Sequence, residues 1–421
     1  NPGNVLCAVG WTSKSVQCSV HTARMHNLTI SFWRGIMKKQ LLTTTALVAA
    51  GVLAVSGSAI AQKPSLTLGG STEQIFGVGQ NDDAFDAASG QRIGFDQHSD
   101  TEVHFNGSVT LDNGIKIRTR VELEGNSNVA AGSSNGANGA AAAGNMDDID
   151  ENWMRISGSF GEVRLGSGDA AAQAMTTGYL GTWAAGVGQN FAFDTADWVS
   201  NPGTVSVSTV GRVDASSDAE HVSYFTPRFA GFQAGISYIP SAREDVNNQR
   251  ELTAGADNDG WSLGLNFDRK FGGIGVGIAA GYATANESTA NLDDPEIWGI
   301  AGRVDFSGFR VALSWVESED QGTALNTAAN GQETFEAGIR YIFGPNAVSA
   351  QYQNAEANSR AAARNGDEAE TFWLAYRRTL GPGVFWKVSA IFADFDDALA
   401  GAAAGNSNSG EALTTSIFIR F

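Results

Sequence analysis

Apolar and polar residues take turns along most of this chain. Val103, Phe105, Val109 and Leu111 alternate with Glu102, His104, Asn106 and Thr110. After Asp112, Asn113 and Gly114, the residues Ile115, Ile117, Val121 and Leu123 alternate with Lys116, Arg118, Arg120, Glu122 and Glu124. A period of two is the side-chain repeat of a β-strand, and an Asn-Gly centre between two such runs is hairpin chemistry. The segment therefore predicts two antiparallel strands with one oily face and one charged face. The pattern returns in Met154 and Ile156 with Val163 and Leu165 across Gly158–Gly161, and in Val222 and Tyr224 with Phe232, Ile236 and Tyr238 across Pro227–Gly231. Four more hairpins follow. They pair Trp261, Leu263, Leu265, Phe267 with Ile274, Val276, Ile278, Tyr282, then Trp298, Ile300, Val304, Phe306 with Val311, Leu313, Trp315. The last two pair Phe335, Ile339, Tyr341, Phe343 with Val348 and Tyr352, and Phe372, Leu374, Tyr376 with Val384, Trp386, Val388, Phe392.

A further strand precedes these seven hairpins, at about 65–78, and one follows, Glu411–Phe421, where Leu413, Thr415, Ile417, Ile419 and Phe421 share a face opposite Thr414, Ser416 and Arg420. The total is sixteen, and an even number lets first and last strands pair into a closed ring. Closure matters because hydrocarbon offers an unpaired backbone amide no partner. Sixteen to eighteen strands leave a water-filled interior, whereas about eight are plugged by their own side chains. Tyr238, Trp261, Tyr282, Trp298, Trp315, Phe343 and Trp386 lie near strand ends, where aromatic girdles sit. The pattern thus predicts an all-β protein, a 16-stranded antiparallel transmembrane β-barrel.

Composition refines this picture at the ends. Met37, Lys38 and Lys39 open a short basic region, Leu41–Val55 is apolar, and Ala59, Ile60, Ala61 read as a small-residue cleavage site before Gln62. This predicts a secretory signal peptide over 37–61, an upstream extension over 1–36 outside the native protein, and a barrel domain over 62–421. Both cysteines, Cys7 and Cys18, fall in the first segment, so the barrel has no disulfide framework. Residues 1–61 carry five basic groups and no acid, so the net charge of −18 becomes −23 for residues 62–421. So acidic a chain is not a nucleic-acid binder.

The run 100–125, the segment WMRISGSFGEVRLG at Trp153–Gly166, the stretch VSYFTPRFAGFQAGISY at Val222–Tyr238 and the terminal Phe421 together resemble the Gram-negative general diffusion porins, over essentially all of residues 62–421. The resemblance implies a homotrimer of sixteen-stranded barrels in the bacterial outer membrane, with the third external loop folded inward to narrow each pore.

The long connections fall at about 80–100, 126–150, 167–218, 239–260, 285–294, 319–332, 355–367 and 396–410, and the third is the longest. A loop of such length needs a reason, and folding into the lumen supplies one. It carries Asp169, Asp194 and Asp197, with Trp183, Phe191, Phe193 and Trp198 as anchors, and it is read as lacking helices or strands of its own. It lacks the proline-glutamate-phenylalanine-glycine signature of some family branches. Strands three to five present Lys116, Arg118, Arg120, Arg155 and Arg164 on the parity opposite the oily residues. By resemblance these are the basic wall of a constriction facing acidic loop residues, whose transverse field orients dipoles and turns away apolar solutes.

Other chemistry is weaker. Gly132, Ser134 and Gly136 mimic a nucleophile elbow without its strand and helix. Gly275, Gly277 and Ala280 mimic a dinucleotide fingerprint on what reads as a hairpin strand. His98, His104 and His221 show no metal-ligand spacing among themselves. Asp147, Asp148, Asp150 and Asp293, Asp294, Glu296 lie at external loops, where divalent cations could bridge them to lipopolysaccharide. The expected function is passive diffusion of small hydrophilic solutes and ions, with no catalysis and no cofactor. A sugar- or anion-selective porin is the alternative, and an outer-membrane enzyme or a purely structural barrel stands behind it. The net charge favours cations at the mouths and the basic wall favours anions at the narrowest point. On balance a weak cation preference at low salt is expected.

Overall fold

The computed structural model describes residues 63–89, 94–125, 149–202, 205, 207, 209, 211–242, 257–287, 294–319, 331–357, 366–398 and 405–421, except for the side chains of 192–194, 257 and 287. The expectations placed on 1–36, on the signal peptide 37–61, on Gly132, Ser134 and Gly136, and on Asp147, Asp148 and Asp293 lie outside the described residues.

Sixteen antiparallel strands close into one barrel, as the alternation predicts. They are β1 (Ser65–Asn81), β2 (Phe95–Thr110), β3 (Lys116–Glu124), β4 (Asn152–Gly158), β5 (Gly161–Gly166), β6 (His221–Phe225), β7 (Phe232–Ser241) and β8 (Asp257–Phe271). The circuit continues with β9 (Ile274–Glu287), β10 (Glu296–Phe306), β11 (Phe309–Glu319), β12 (Gln332–Phe343), β13 (Asn346–Ala357), β14 (Glu368–Gly381), β15 (Val384–Asp396) and β16 (Asn408–Arg420). Each strand pairs with its sequence neighbours, and β1 pairs with β16 from Ser71↔Arg420 to Asn81↔Gly410. Phe421 completes the seam: its backbone N–H and C=O bond the C=O and N–H of Gly70, both at 3.1 Å.

The two faces sort as the sequence requires. Leu263, Leu265, Ile278, Ile300, Leu313, Leu374 and Leu413 point outward and are exposed. In water such a belt would be a large apolar patch, whereas hydrocarbon solvates it. Inward positions on the same strands hold small or polar groups such as Ser262, Ser314, Thr371, Ser389 and Thr414. At one end the strands are joined by tight turns. In the β2–β3 turn the Gly114 N–H bonds Leu111 O at 2.9 Å, and Gly114 takes φ +81°, a conformation that costs a residue with a Cβ.

Two boundaries differ from the sequence reading. The first external connection is shorter than 80–100, because β1 runs to Asn81 and β2 begins at Phe95, and it carries a helix, α1 (Asp83–Ser89). Above the oily belt β2 has no apolar face, so alternation of hydrophobicity does not mark it, yet its backbone still pairs with β1 up to Phe95↔Val78. The third loop is not structureless. It holds α2 (Ala171–Thr176), a 3₁₀ turn (Thr177–Tyr179), α3 (Gly181–Ala185) and α4 (Phe191–Trp198).

Candidate pore constriction

The third loop is long and apolar in places because it is an interior element. Its helices lie on the inner wall of the barrel, and the small inward residues of the strands make room for them. The Gly77 backbone lies flat beneath the Trp198 ring, which a Cβ there would meet at 2.3 Å. Strand hydroxyls cap the loop's free amides: Ser237 Oγ accepts from Ala171 N at 2.8 Å, Ser262 Oγ from Ala172 N at 2.8 Å and Ser314 Oγ from Gly181 N at 2.8 Å. The first amides of any helix lack an intrahelical acceptor, and these strand hydroxyls serve as the end caps.

The central fastening is Glu336 on β12, fully buried. It accepts from the Thr182 hydroxyl at 2.9 Å and from Ser314 Oγ at 2.7 Å, while Gln351 Nε2 donates to Thr182 O at 3.1 Å. Farther on, Trp373 Nε1 donates to Thr195 Oγ1 at 3.1 Å and Asn408 Nδ2 to Ser200 O at 2.7 Å. Helices α2 to α4 thus pack along β6–β13, β15 and β1, and the arginine-bearing wall of β3–β5 faces them uncovered.

On that wall the register sets Arg118 opposite Arg155 and Arg155 opposite Arg164, one rung of three guanidinium groups across β3, β4 and β5. Lys116 and Arg120 stand one inward position to either side on β3. Arg118 reaches farthest, with half of its side chain exposed (50%). Glu162 holds the rung from below, 3.1 Å from Arg118 Nη2 and 2.7 Å from Arg164 Nε. Aromatic faces carry the others: Arg155 lies 3.8 Å over the Trp153 ring and Arg164 4.1 Å over Phe225. Like-charged groups are held together here by one carboxylate and two π-faces.

The structure separates Asp169 from the other two acidic loop residues, which share α4. Asp169 is half-buried at the loop's root, near Glu151 and Arg212, and its partial loss of water pushes its carboxyl above the usual range. Asp218 lies beside the same root, where Gly168 N bonds Asp218 O at 3.2 Å; burial, then Asp150 and Asp169, push its carboxyl up to about 9. Asp197 lies 3.4 Å from His98 Nδ1 on β2, the strand next to β3. Of Asp194 only the backbone, in α4, is described.

A second basic bank lies inside β10–β15: Arg303, Arg310, Arg340, Arg377 and Lys387. Arg303 Nη1 donates to Gly178 O at 2.8 Å and Arg310 Nη1 to Ala184 O at 3.2 Å, so this bank also supports the loop from beneath. Sequence reading missed these residues, although the same parity rule identifies them: Arg303 alternates with Ile300, Gly302 and Val304 on the oily face.

A closed antiparallel barrel with an oily outside, a charged inside and a loop folded against its inner wall defines a transmembrane channel of the outer-membrane type. The family model of the Gram-negative porins matches residues 43–398, and the chain belongs to that family, one of channels and not of enzymes. Its place is the bacterial outer membrane. Outer membrane porin protein 32 of Delftia acidovorans is 30% identical over 202 residues, covering 48% of this chain and 51% of that protein. The chain therefore matches about half the length of that curated relative. Among solved structures, the anion-selective porin from Comamonas acidovorans gives a TM-score of 0.56 at 18% identity, covering 85% of this chain and 100% of that one. The outer membrane channel DcaP of Acinetobacter baumannii gives 0.55 at 12% identity, with 87% and 100% covered. At these identities the two structures speak to the fold alone.

Proposed function

We propose that the protein is a trimeric, water-filled channel through which small hydrophilic solutes and ions diffuse down their gradients. The observation that carries this reading is a lumen in which loop 3 is fastened along the inner wall and an arginine rung lines β3–β5, with the Arg118 side chain half exposed. Lys116, Arg118, Arg120, Arg155 and Arg164 form the basic side of the constriction, and Asp169, Asp194 and Asp197 belong to the loop side. The strand lengths favour a trimer. β4, β5 and β6 have seven, six and five residues, short of the roughly 9–11 that cross hydrocarbon, so this sector of the wall is suited to protein neighbours. Removal of a signal peptide before Gln62 delivers the chain to the membrane.

An anion preference is supported by the second basic bank. The expected weak cation preference rests on net charge, whereas two basic banks line the lumen and charge nearest the path has most leverage. Planar-bilayer recording tests both points. Three equal closing steps are expected, with a reversal potential in a salt gradient that moves toward cations in the Arg118→Ala, Arg120→Ala double variant. Absence of conductance overturns the channel, and an unmoved reversal potential overturns the constriction.

For the lipid partner, the support is on the outward face. Glu317, Glu333, Glu356, Glu368 and Asp396 stand directly opposite one another across β11–β15, an unbroken row of five carboxylates at the long-loop end. Glu370 faces Asp394 just below, and Glu296 faces Glu319 on β10–β11. Like charges directly opposite destabilise a sheet, so this row is suited to divalent cations shared with lipopolysaccharide phosphates.

A further inference from the structure

The three histidines carry no ligand spacing by themselves, but the barrel adds carboxylates to one of them. His104 on β2 is in register with Glu122 on β3, and Glu102 precedes it by two residues on the same inward face. His104 Nε2 lies 3.1 Å from Glu102 Oε2 and 3.0 Å from Glu122 Oε2, and one donor atom from each residue falls within 4.8 Å of the others. We propose that Glu102, His104 and Glu122 bind a divalent transition-metal ion of the zinc class on the lumen wall.

The distances fit a ligand set as well as they fit hydrogen bonds. Ligand atoms about 2.1 Å from one ion, in neighbouring coordination positions, are roughly 3.0–3.4 Å from each other. A single Nε2–H cannot point well at two carboxylate oxygens at once, whereas an ion beside that nitrogen would draw both oxygens in with a small side-chain adjustment. The charge balance favours a dication too. The Glu122 side chain is only 7% exposed. It has Glu102 and Glu151 as acidic neighbours, and Glu124 stands opposite Glu102 in the register. Arg120 Nη1, 3.0 Å from Glu122 Oε2, is the cation paired with it, and in a metal site it would orient that ligand from outside.

One imidazole with two carboxylates matches zinc and its neighbours rather than magnesium or calcium, which prefer all-oxygen shells. Side-chain exposures of 16% for His104 and 31% for Glu102 leave the ion reachable from lumen water, which would complete its shell. Binding places two positive charges beside Arg120. On the channel reading proposed above, it strengthens anion preference.

Zinc ion alone is the probe. Calorimetry on the purified protein in detergent is expected to show one zinc per chain, with the affinity at least about tenfold weaker in His104→Gln and in Glu122→Gln, the loss that an outer-shell partner alone would bring. His98→Gln, on the same strand, is expected to retain the affinity. Resistance of each variant to unfolding by detergent at room temperature checks that the barrel is intact. No saturable binding, equal affinity in His104→Gln, or loss in His98→Gln instead would each overturn the site. The same zinc titration in bilayers shifts the reversal potential toward anions. If zinc binds with the stated dependence but no current flows, the site stands and the channel reading fails.

Discussion

Glu336 shows how a single buried acid can organise a large loop. It is fully buried between β12 and the start of α3, and several donors converge on its two oxygens: the Thr182 amide and hydroxyl and the Ser314 hydroxyl. Removing the acceptor leaves those donors unpaired out of water, at about 1–3 kcal/mol for each group that finds no substitute. Glu336→Leu is therefore expected to free α3 from the wall, seen as faster protease cleavage near Thr182 and noisier open-channel current. Glu336→Gln keeps an acceptor and should change both far less. Gly77 makes the complementary case by shape. A methyl group there meets Trp198 at 2.3 Å, so Gly77→Ala should lift the end of α4 at an overpacking cost of about 1–3 kcal/mol. Trp198 emission shifted to the red would report it, and an unchanged spectrum would mean that the wall yields instead.

At the level of elements, the strands were legible because each is a local pattern: oily residues face outward and polar ones inward, and a slip of one residue would reverse both faces. The arginine rung was legible by the same parity. The path of loop 3 was not, since it depends on pairings such as Thr182 with Glu336 or Ala171 with Ser237 that lie far apart in sequence. For that reason Asp169 and Asp197, adjacent in role by resemblance, have different surroundings, one at the loop's root near Arg212 and the other beside His98 on β2. The root of the loop should respond to pH. Asp218 holds its proton up to about 9, against 3.8 for a free carboxyl. Between those values the folded loop binds a proton that the detached one releases, so attachment is strongest in acid, weakens as pH rises, and has lost this contribution above about 9. Proteolysis of loop 3 should accelerate from pH 7 to 9.5 in the wild type and change little in Asp218→Asn.

On the scale of the whole barrel, charge is sorted along the axis as well as between faces. The outward ends of β10–β15 at the long loops carry Glu296, Glu317, Glu319, Glu333, Glu356, Glu368, Glu370, Asp394 and Asp396, and the outward face of those strands has a single base, Arg378, near the opposite rim. Girdle tyrosines reach into this collar, Tyr282 OH to Glu296 at 3.0 Å and Tyr352 OH to Glu370 at 2.8 Å, so the acids begin where the oily belt ends. Unscreened, five carboxylates in one cross-strand row would repel at every step. On the lipid contact proposed above, cations shared with lipid phosphates would remove the repulsion and add attraction, and both gains would vanish when a chelator removes them. Protein extracted with its native lipid should therefore lose thermal stability in EDTA and regain it with magnesium. In the Glu333→Gln, Glu356→Gln, Glu368→Gln variant the row is broken at its centre, so EDTA should have a much smaller effect while stability without added cations rises. Equal sensitivity of the two proteins to EDTA would show that the collar is merely solvated and that cations act elsewhere.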